Sequence, residues 1–246
     1  LTRSHCPKCG AVLKWSDLIP VLSFVFQKGR CRYCSEKISW QYPMVEIATG
    51  LLFLSVILSP PDGGRRIPWQ IFILRDPSLT LRMTFYFYII SVLIIIFVYD
   101  LKHYIIPDKI LLPAIIISLI WSLVIGHYLE IRNLKLEIKD FYPLFAALSA
   151  SSFFLLLVIL SRGKWMGLGD VKLAVLMGLV LGWPNILWAL FLAFLSGAII
   201  GLVLIAFKRK TLKSQIPFGP FLAGATVLTM LLGESLTKVF NWFILF

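Results

Sequence analysis

The sequence predicts an all-α, polytopic helical membrane bundle with a small N-terminal zinc-ribbon-like unit, and three observations lead there. Hydrophobic residues make up 59% of the chain and the mean hydropathy is +0.88, far above a soluble domain. Apolar runs recur along most of its length. All four cysteines stand within the first 34 residues, ahead of the first of these runs.

A bilayer crossing takes about 20 residues at 1.5 Å rise, somewhat fewer where flanking residues snorkel. Stretches 44–59, 83–99, 110–126, 142–161, 171–183, 185–207 and 218–233 qualify, which gives about seven spans. A membrane β-barrel would alternate over about 10 residues instead of running continuously apolar. The net charge of +12 suggests nucleic acid only until the charges are mapped. With the N-terminal region in the cytoplasm, segments 1–43, 100–109, 162–172 and 208–217 hold 7, 2, 3 and 4 lysines and arginines, 16 of the 24. That is the positive-inside bias. The basic character reads as topology and contact with anionic membrane lipid, with no nucleic acid partner. The external loops are basic too, at Arg65, Arg66, Arg75 and Arg82.

Two domains are expected, a polar cysteine-bearing unit over 1–43 and a transmembrane domain over 44–246. The boundary falls in "WQYPMVE", where Pro43 suits the first turn of the following helix. Short loops join the helices, apart from external loops over 60–82 and 127–141, the first with the turn chemistry of "PPDGG". "KRKTLKSQIPFGP" reads as a basic cytoplasmic linker before the last full span. The tail "VFNWFILF" is too short to cross and suits the interface. The chain opens at Leu1 inside a polar segment, and we expect an upstream stretch with one more helix to precede it.

The cysteines read "CPKCG" (Cys6, Cys9) and "CRYC" (Cys31, Cys34), with 21 residues between the pairs. Each C-x2-C knuckle offers two thiolates to one metal, and two knuckles complete a tetrahedral S4 site. Gly10 and Ser35, each directly after a pair, suit the tight turns. So small a unit holds no core of its own, so bound metal would supply its folding energy. Structural zinc is the expectation. A pair of disulfides is the competing reading, and a reducing cytoplasm argues against it. Four thiolates leave no open coordination position, and no neighbouring His–Glu pair offers a base, so the zinc is not expected to be catalytic. His5 reads as a surface residue.

The twelve acidic residues are few enough to sort. Asp62, Asp76, Glu130, Glu137 and Asp140 fall in external loops, Asp17 and Glu36 in the cysteine unit, and Glu234 in the last turn. Glu46, Asp100, Asp108 and Asp170 remain, at cytoplasmic span ends, where a carboxylate costs several kcal/mol and suggests function. Asp108 follows Pro107 ahead of "KILLPAIII" and reads as a helix N-cap. Asp170 fits a cap as well, but the helix after it, 171–183, spans only about 20 Å. Asp100 has no such role, because a helix C-terminus repels anions. Two carboxylates at neighbouring span ends can converge on one water. Close like charges resist joint ionisation, so the pair would hold one proton between them. One member then acts as base and the other as acid. Aspartic peptidase chemistry and a proton-coupled transporter both use such a pair, and at this point both stay open.

Three blocks narrow the choice: "RSHCPKCG…IPVLSF…GRCRYCSEKISWQYPMVEIATG", "YDLKHYIIPD" and "GLGDVKLA". In this order the chain resembles the bacterial type IV prepilin peptidases, GxGD membrane aspartic peptidases that process type IV pilins and type II secretion pseudopilins. The resemblance implies that Asp100 and Asp170 are the catalytic pair. Gly167 and Gly169 would form the GxGD turn, giving room to a substrate backbone. Lys172 sits one turn on, where snorkelling also suits it. Cys6, Cys9, Cys31 and Cys34 match the family's cytoplasmic tetracysteine.

The resemblance further implies N-methylation of the new N-terminus from S-adenosylmethionine, with Gly29 and Glu46 as candidate residues. Glu46 also fits a helix–helix hydrogen bond, and no glycine-rich nucleotide motif is present. The implied partners are prepilins or pseudopilins, helices with a short basic leader on the cytoplasmic side. The implied location is the bacterial inner membrane, with the cysteine unit and both aspartates facing the cytoplasm. The family's upstream helix and glycine–serine–asparagine motif, which this sequence lacks, would bring the full protein to eight spans. A proton-coupled transporter with a zinc-binding cytoplasmic unit remains the alternative. It should show internal repeat symmetry, which the sequence lacks.

Overall fold

The computed structural model describes residues 4–58, 77–125, 141–163, 166–207 and 217–244. The expected external loops lie mostly outside these residues, as do the acidic side chains assigned to them and most of the basic stretch before the last helix. Among the described residues the regular structure is helical, apart from two isolated β-bridges. The chain divides into two compact units, Leu1–Gly64 and Arg65–Phe246.

In the first unit a 3-10 turn, Trp15–Asp17, and a short helix α1, Leu22–Phe26, lie between the two cysteine pairs. A longer helix, α2, Gln41–Leu58, follows. The side chain of Asp17 is only 2% exposed and lies 3.4 Å from Arg32 Nε. It also accepts from Gln27 Nε2 at 3.1 Å and from the Tyr33 hydroxyl at 3.4 Å. One acidic side chain thereby ties the first half of the unit to the second knuckle.

The second unit contains α3 (Pro77–His103), α4 (Asp108–Ile120), α5 (Tyr142–Ser161), α6 (Leu168–Leu181), α7 (Asn185–Ala206) and α8 (Gly219–Ile244). Helix α4 runs on as a π-helical turn, Trp121–Ile125. Helices therefore occupy all seven apolar stretches. Two ends differ from expectation: α3 starts at Pro77, ahead of the apolar run, and α8 carries on through the tail to Ile244. By length and composition, Leu81–His103, Tyr142–Ser161 and Asn185–Ala206 are able to cross a membrane, and Gly219–Leu232 is a shorter apolar helix.

Beyond Lys172, helix α6 is apolar on every side, with Leu173, Ala174, Leu176, Met177 and Leu179 buried, as expected of a helix enclosed by others. It packs against α4, α5, α7 and α8. The approach of α5 is the closest. Ala146, Ala150 and Phe154 recur every four residues on the buried face of α5. Opposite them, a Cβ on Gly178 would overlap the Ala146–Ala147 backbone. Small residues on both sides let the two backbones meet, as at membrane helix crossings. Outward faces of α5 and α7 stay apolar, with Leu148, Leu156, Ile159, Leu160, Phe191, Ile199 and Leu202 exposed. On α3, Ile89, Leu93 and Ile96 form a buried stripe at helical spacing. Asp100 is the next position on that stripe, which is why a carboxylate ends up inside.

Candidate active site and metal centre

Asp100 sits in the last turn of α3, 4% exposed, and its carbonyl accepts the Tyr104 N–H at 2.8 Å. Asp170 sits in the first turn of α6. The cap position of α6 belongs to Gly167, in extended backbone, and Asp170 Oδ2 accepts the Gly167 N–H at 3.3 Å. The carboxylate thus holds the GxGD turn together from inside the helix. Asp100 and Asp170 come close enough for the charge of Asp100 to act on Asp170.

The glycines divide their roles. A Cβ on Gly169 would stand 3.2 Å from Ile106 Cβ, so that space is filled by the chain's own side chain. Among the described residues, a Cβ on Gly167 would meet only the Gly169 backbone nitrogen within 4 Å. Gly167 is the one with open space beside it.

One sequence reading is corrected here. Asp108 is not the N-cap of α4: Pro107 holds that position, and Asp108 opens the helix. Its carboxylate instead receives Lys172 Nζ at 2.8 Å on each oxygen. Lys172 is therefore the ion-pair partner of Asp108, with both side chains partly exposed. Sequence reasoning also missed Gly219 and Ile106. The backbone N–H of Gly219, the first residue of α8, donates to the Asp100 carboxylate. The available signal is "FGP", a glycine and proline at a helix start, where the expected linker and the expected last span overlap.

In the first unit the four Cys Sγ atoms lie within 4.8 Å of one another, and Cys6 Sγ is 3.9 Å from Cys34 Sγ. A tetrahedron with metal–sulfur bonds of about 2.3 Å has edges of about 3.8 Å, so the cluster fits one tetrahedral metal ion. All four thiols are free. The two knuckles repeat one geometry. Gly10 N–H donates to the Cys6 carbonyl and Ser35 N–H to the Cys31 carbonyl, both at 2.9 Å. Gly10 and Ser35 both take left-handed backbone, at φ +69° and +56°, as the small residues after each pair suggest. An isolated bridge closes each loop, His5 with Val12 and Arg30 with Lys37. The backbone N–H groups of Cys9 and Lys8 hold the Cys6 thiol down to about 6. Cys34 is pushed up to about 12. There the Glu36 N–H pulls downward, but desolvation and bonds to Cys31, Cys9 and Cys6 outweigh it.

Gly29 and Glu46 lie at the two ends of α1. Glu46 Oε2 accepts the N–H of Val21, the residue capping α1, at 2.7 Å. Gly29, at φ +69°, accommodates Phe24, whose ring would stand 3.1 Å from a Cβ there. Phe24 meets Trp40 edge to face at 4.9 Å.

Comparison with known proteins adds independent findings. Residues 1–59 match the model of the bacterial peptidase A24 N-terminal domain, and residues 87–202 that of the type IV leader peptidase family. The chain is 32% identical to a prepilin leader peptidase/N-methyltransferase of Aeromonas salmonicida, over 96% of this chain and 73% of that protein. It is 29% identical to the protein of that name from Bacillus subtilis, over 97% and 85%. It is also 29% identical to the one from Pseudomonas aeruginosa, over 99% and 76%. No solved structure matches. The four cysteines, Gly29 and Glu46 fall in the first matched stretch, and both aspartates in the second.

Proposed function

The chain belongs to the type IV leader peptidase family, and from that premise we propose that it is a membrane-embedded aspartic endopeptidase that removes the basic leader of prepilins or pseudopilins. The observation that carries this reading is that Asp100, in the last turn of α3, and Asp170, in the first turn of α6, lie within electrostatic reach of each other in a bundle of apolar helices. Asp100 is the twentieth residue of the 23-residue candidate span Leu81–His103, close to its end, which supports chemistry at the bilayer surface.

One carboxylate takes a proton from water as its oxygen attacks the scissile carbonyl carbon. The other gives its proton to the nitrogen as the C–N bond breaks, leaving a carboxyl on the leader and a free amine on the mature pilin. The open space beside Gly167 receives the substrate backbone. The substrate's apolar helix lies against the outward apolar faces, which lipid otherwise covers. On this reading the cysteine unit and both aspartates face the cytoplasmic side of the inner membrane. The charge map supports that side.

On this reading residues 1–43 are a zinc-binding unit and residues 44–246 the transmembrane peptidase domain. Cys6, Cys9, Cys31 and Cys34 would hold one structural zinc, whose binding stabilises the folded unit. The methyl transfer in the relatives' names is proposed for this chain too. S-adenosylmethionine supplies the methyl group when bound. Glu46, held at the start of α1, offers a carboxylate to a cationic donor, and Gly29 holds the backbone at the other end of that helix.

The test is cleavage of a purified prepilin in detergent. Asp100→Asn and Asp170→Asn should each abolish it. Cleavage by either variant at the wild-type rate would overturn the aspartic mechanism. A transporter using the pair as a proton relay would leave the prepilin intact even in the unaltered protein.

A further inference from the structure

Asp100 occupies an awkward place for an anion. The end of α3 presents unsatisfied carbonyls and the negative end of the helix dipole. Helix α8 offers the opposite, because its first residue, Gly219, donates a backbone N–H to the Asp100 carboxylate. No side chain fits at that residue. A Cβ on Gly219 would stand 2.5 Å from Asp100 Oδ2 and 3.3 Å from Ile106 Cδ1. The first of these is closer than carbon and oxygen approach without displacement.

The start of α8 is itself anchored. The Phe218 ring lies 5.0 Å from Phe194 of α7, 6.2 Å from Phe154 of α5 and 6.2 Å from Phe221. Gly197 on α7 leaves room for it, since a Cβ there would already be 3.5 Å from Phe218 Cε2. A cluster of aromatic rings from three helices thus fixes the backbone that holds Asp100.

We propose that Gly219 is a positioning residue for Asp100, with Phe218 as its anchor. The Gly219 N–H sets the direction of the carboxylate, and the missing side chain leaves it free to face Asp170. This rests on the reading of Asp100 as one of the two catalytic carboxylates. Both positions lie beyond residues 87–202, the stretch matched to the peptidase family.

The experiment compares prepilin cleavage by Gly219→Ala, Phe218→Leu and Gly224→Ala, each purified, with its thermal midpoint measured alongside. Gly224 lies on the same helix, and a Cβ there meets nothing within 4 Å. Gly219→Ala should lose about 100-fold in kcat with KM little changed, as expected when a reacting group is misplaced by about 1 Å. Phe218→Leu keeps apolar volume but loosens the anchor, and should lose about tenfold in the same way. It carries the test if Gly219→Ala does not accumulate. Gly224→Ala should match the unaltered protein. Wild-type kcat in both Gly219→Ala and Phe218→Leu, or a loss confined to KM, overturns the positioning role. Asp100→Asn run in parallel separates the two claims: if it cleaves, the catalytic premise fails. If it is inert while Gly219→Ala and Phe218→Leu both keep wild-type kcat, the positioning role alone fails.

Discussion

Lys172 Nζ lies 2.8 Å from both carboxylate oxygens of Asp108. The pair joins the first turns of α4 and α6, two residues beyond Asp170 on one side and two beyond Ile106 on the other. It fastens the segment after Asp100 to the helix that carries Asp170. Both side chains are partly exposed, so solvent screens the attraction and the coupling should be about 0.2–1 kcal/mol. A double-mutant cycle on Lys172→Ala and Asp108→Ala, read by thermal unfolding in detergent, should return a coupling of that size that shrinks with added salt. Zero coupling at low salt would remove the pair as a fastener.

Gly178 sets how closely α5 and α6 approach, and a methyl group there overlaps the Ala146–Ala147 backbone. Backbone cannot move aside as a side chain does, so Gly178→Ala should destabilise the bundle by about 1–3 kcal/mol. Gly50→Ala, where a Cβ meets nothing within 4 Å, should be neutral or slightly stabilising. Thermal midpoints of the two variants check this. Equal midpoints would contradict the close crossing.

Helix existence was legible because membrane helices are written as long apolar runs, and each expected run carries one. Ends were less so. The start of α3 lies six residues ahead of Met83, because helical hydrogen bonding continues past the point where hydropathy fades. The CxxC knuckles were legible down to the residue that turns the first of them, since glycine takes the left-handed backbone found at Gly10 without a steric cost. Asp100 and Asp170 stood out as carboxylates in apolar surroundings. Contacts made by backbone or across long separations left little trace. Gly219 touches Asp100 through an N–H, which every residue but proline has, and the pairing of Asp108 with Lys172 spans 64 positions. A sequence pattern tied to one helix's period records neither.

Four thiols within reach of one ion give a direct stoichiometric expectation. Protein purified under reducing conditions should carry one zinc per chain. Cys31→Ser, which removes a buried thiol of the cluster, should lower that content and open residues 4–40 to limited proteolysis, because metal binding supplies folding energy. Elemental analysis showing far less than one zinc in the unaltered protein would contradict the S4 site.

Glu46 separates structure from charge. Glu46→Gln keeps a carbonyl oxygen to accept the Val21 N–H, yet removes the negative charge. If the charge serves the methyl donor, this variant should cleave prepilin at the normal rate and leave the new N-terminus mostly unmethylated. Full methylation by Glu46→Gln would return the residue to a structural role at the start of α1.

The most direct test of the paired carboxylates is the N-terminus of a prepilin co-expressed with this protein, read by mass spectrometry. The leader should be absent and the new N-terminal residue heavier by one methyl group. With Asp100→Asn or Asp170→Asn at normal abundance in the membrane, the leader should stay intact. A mature N-terminus formed by either variant would contradict it.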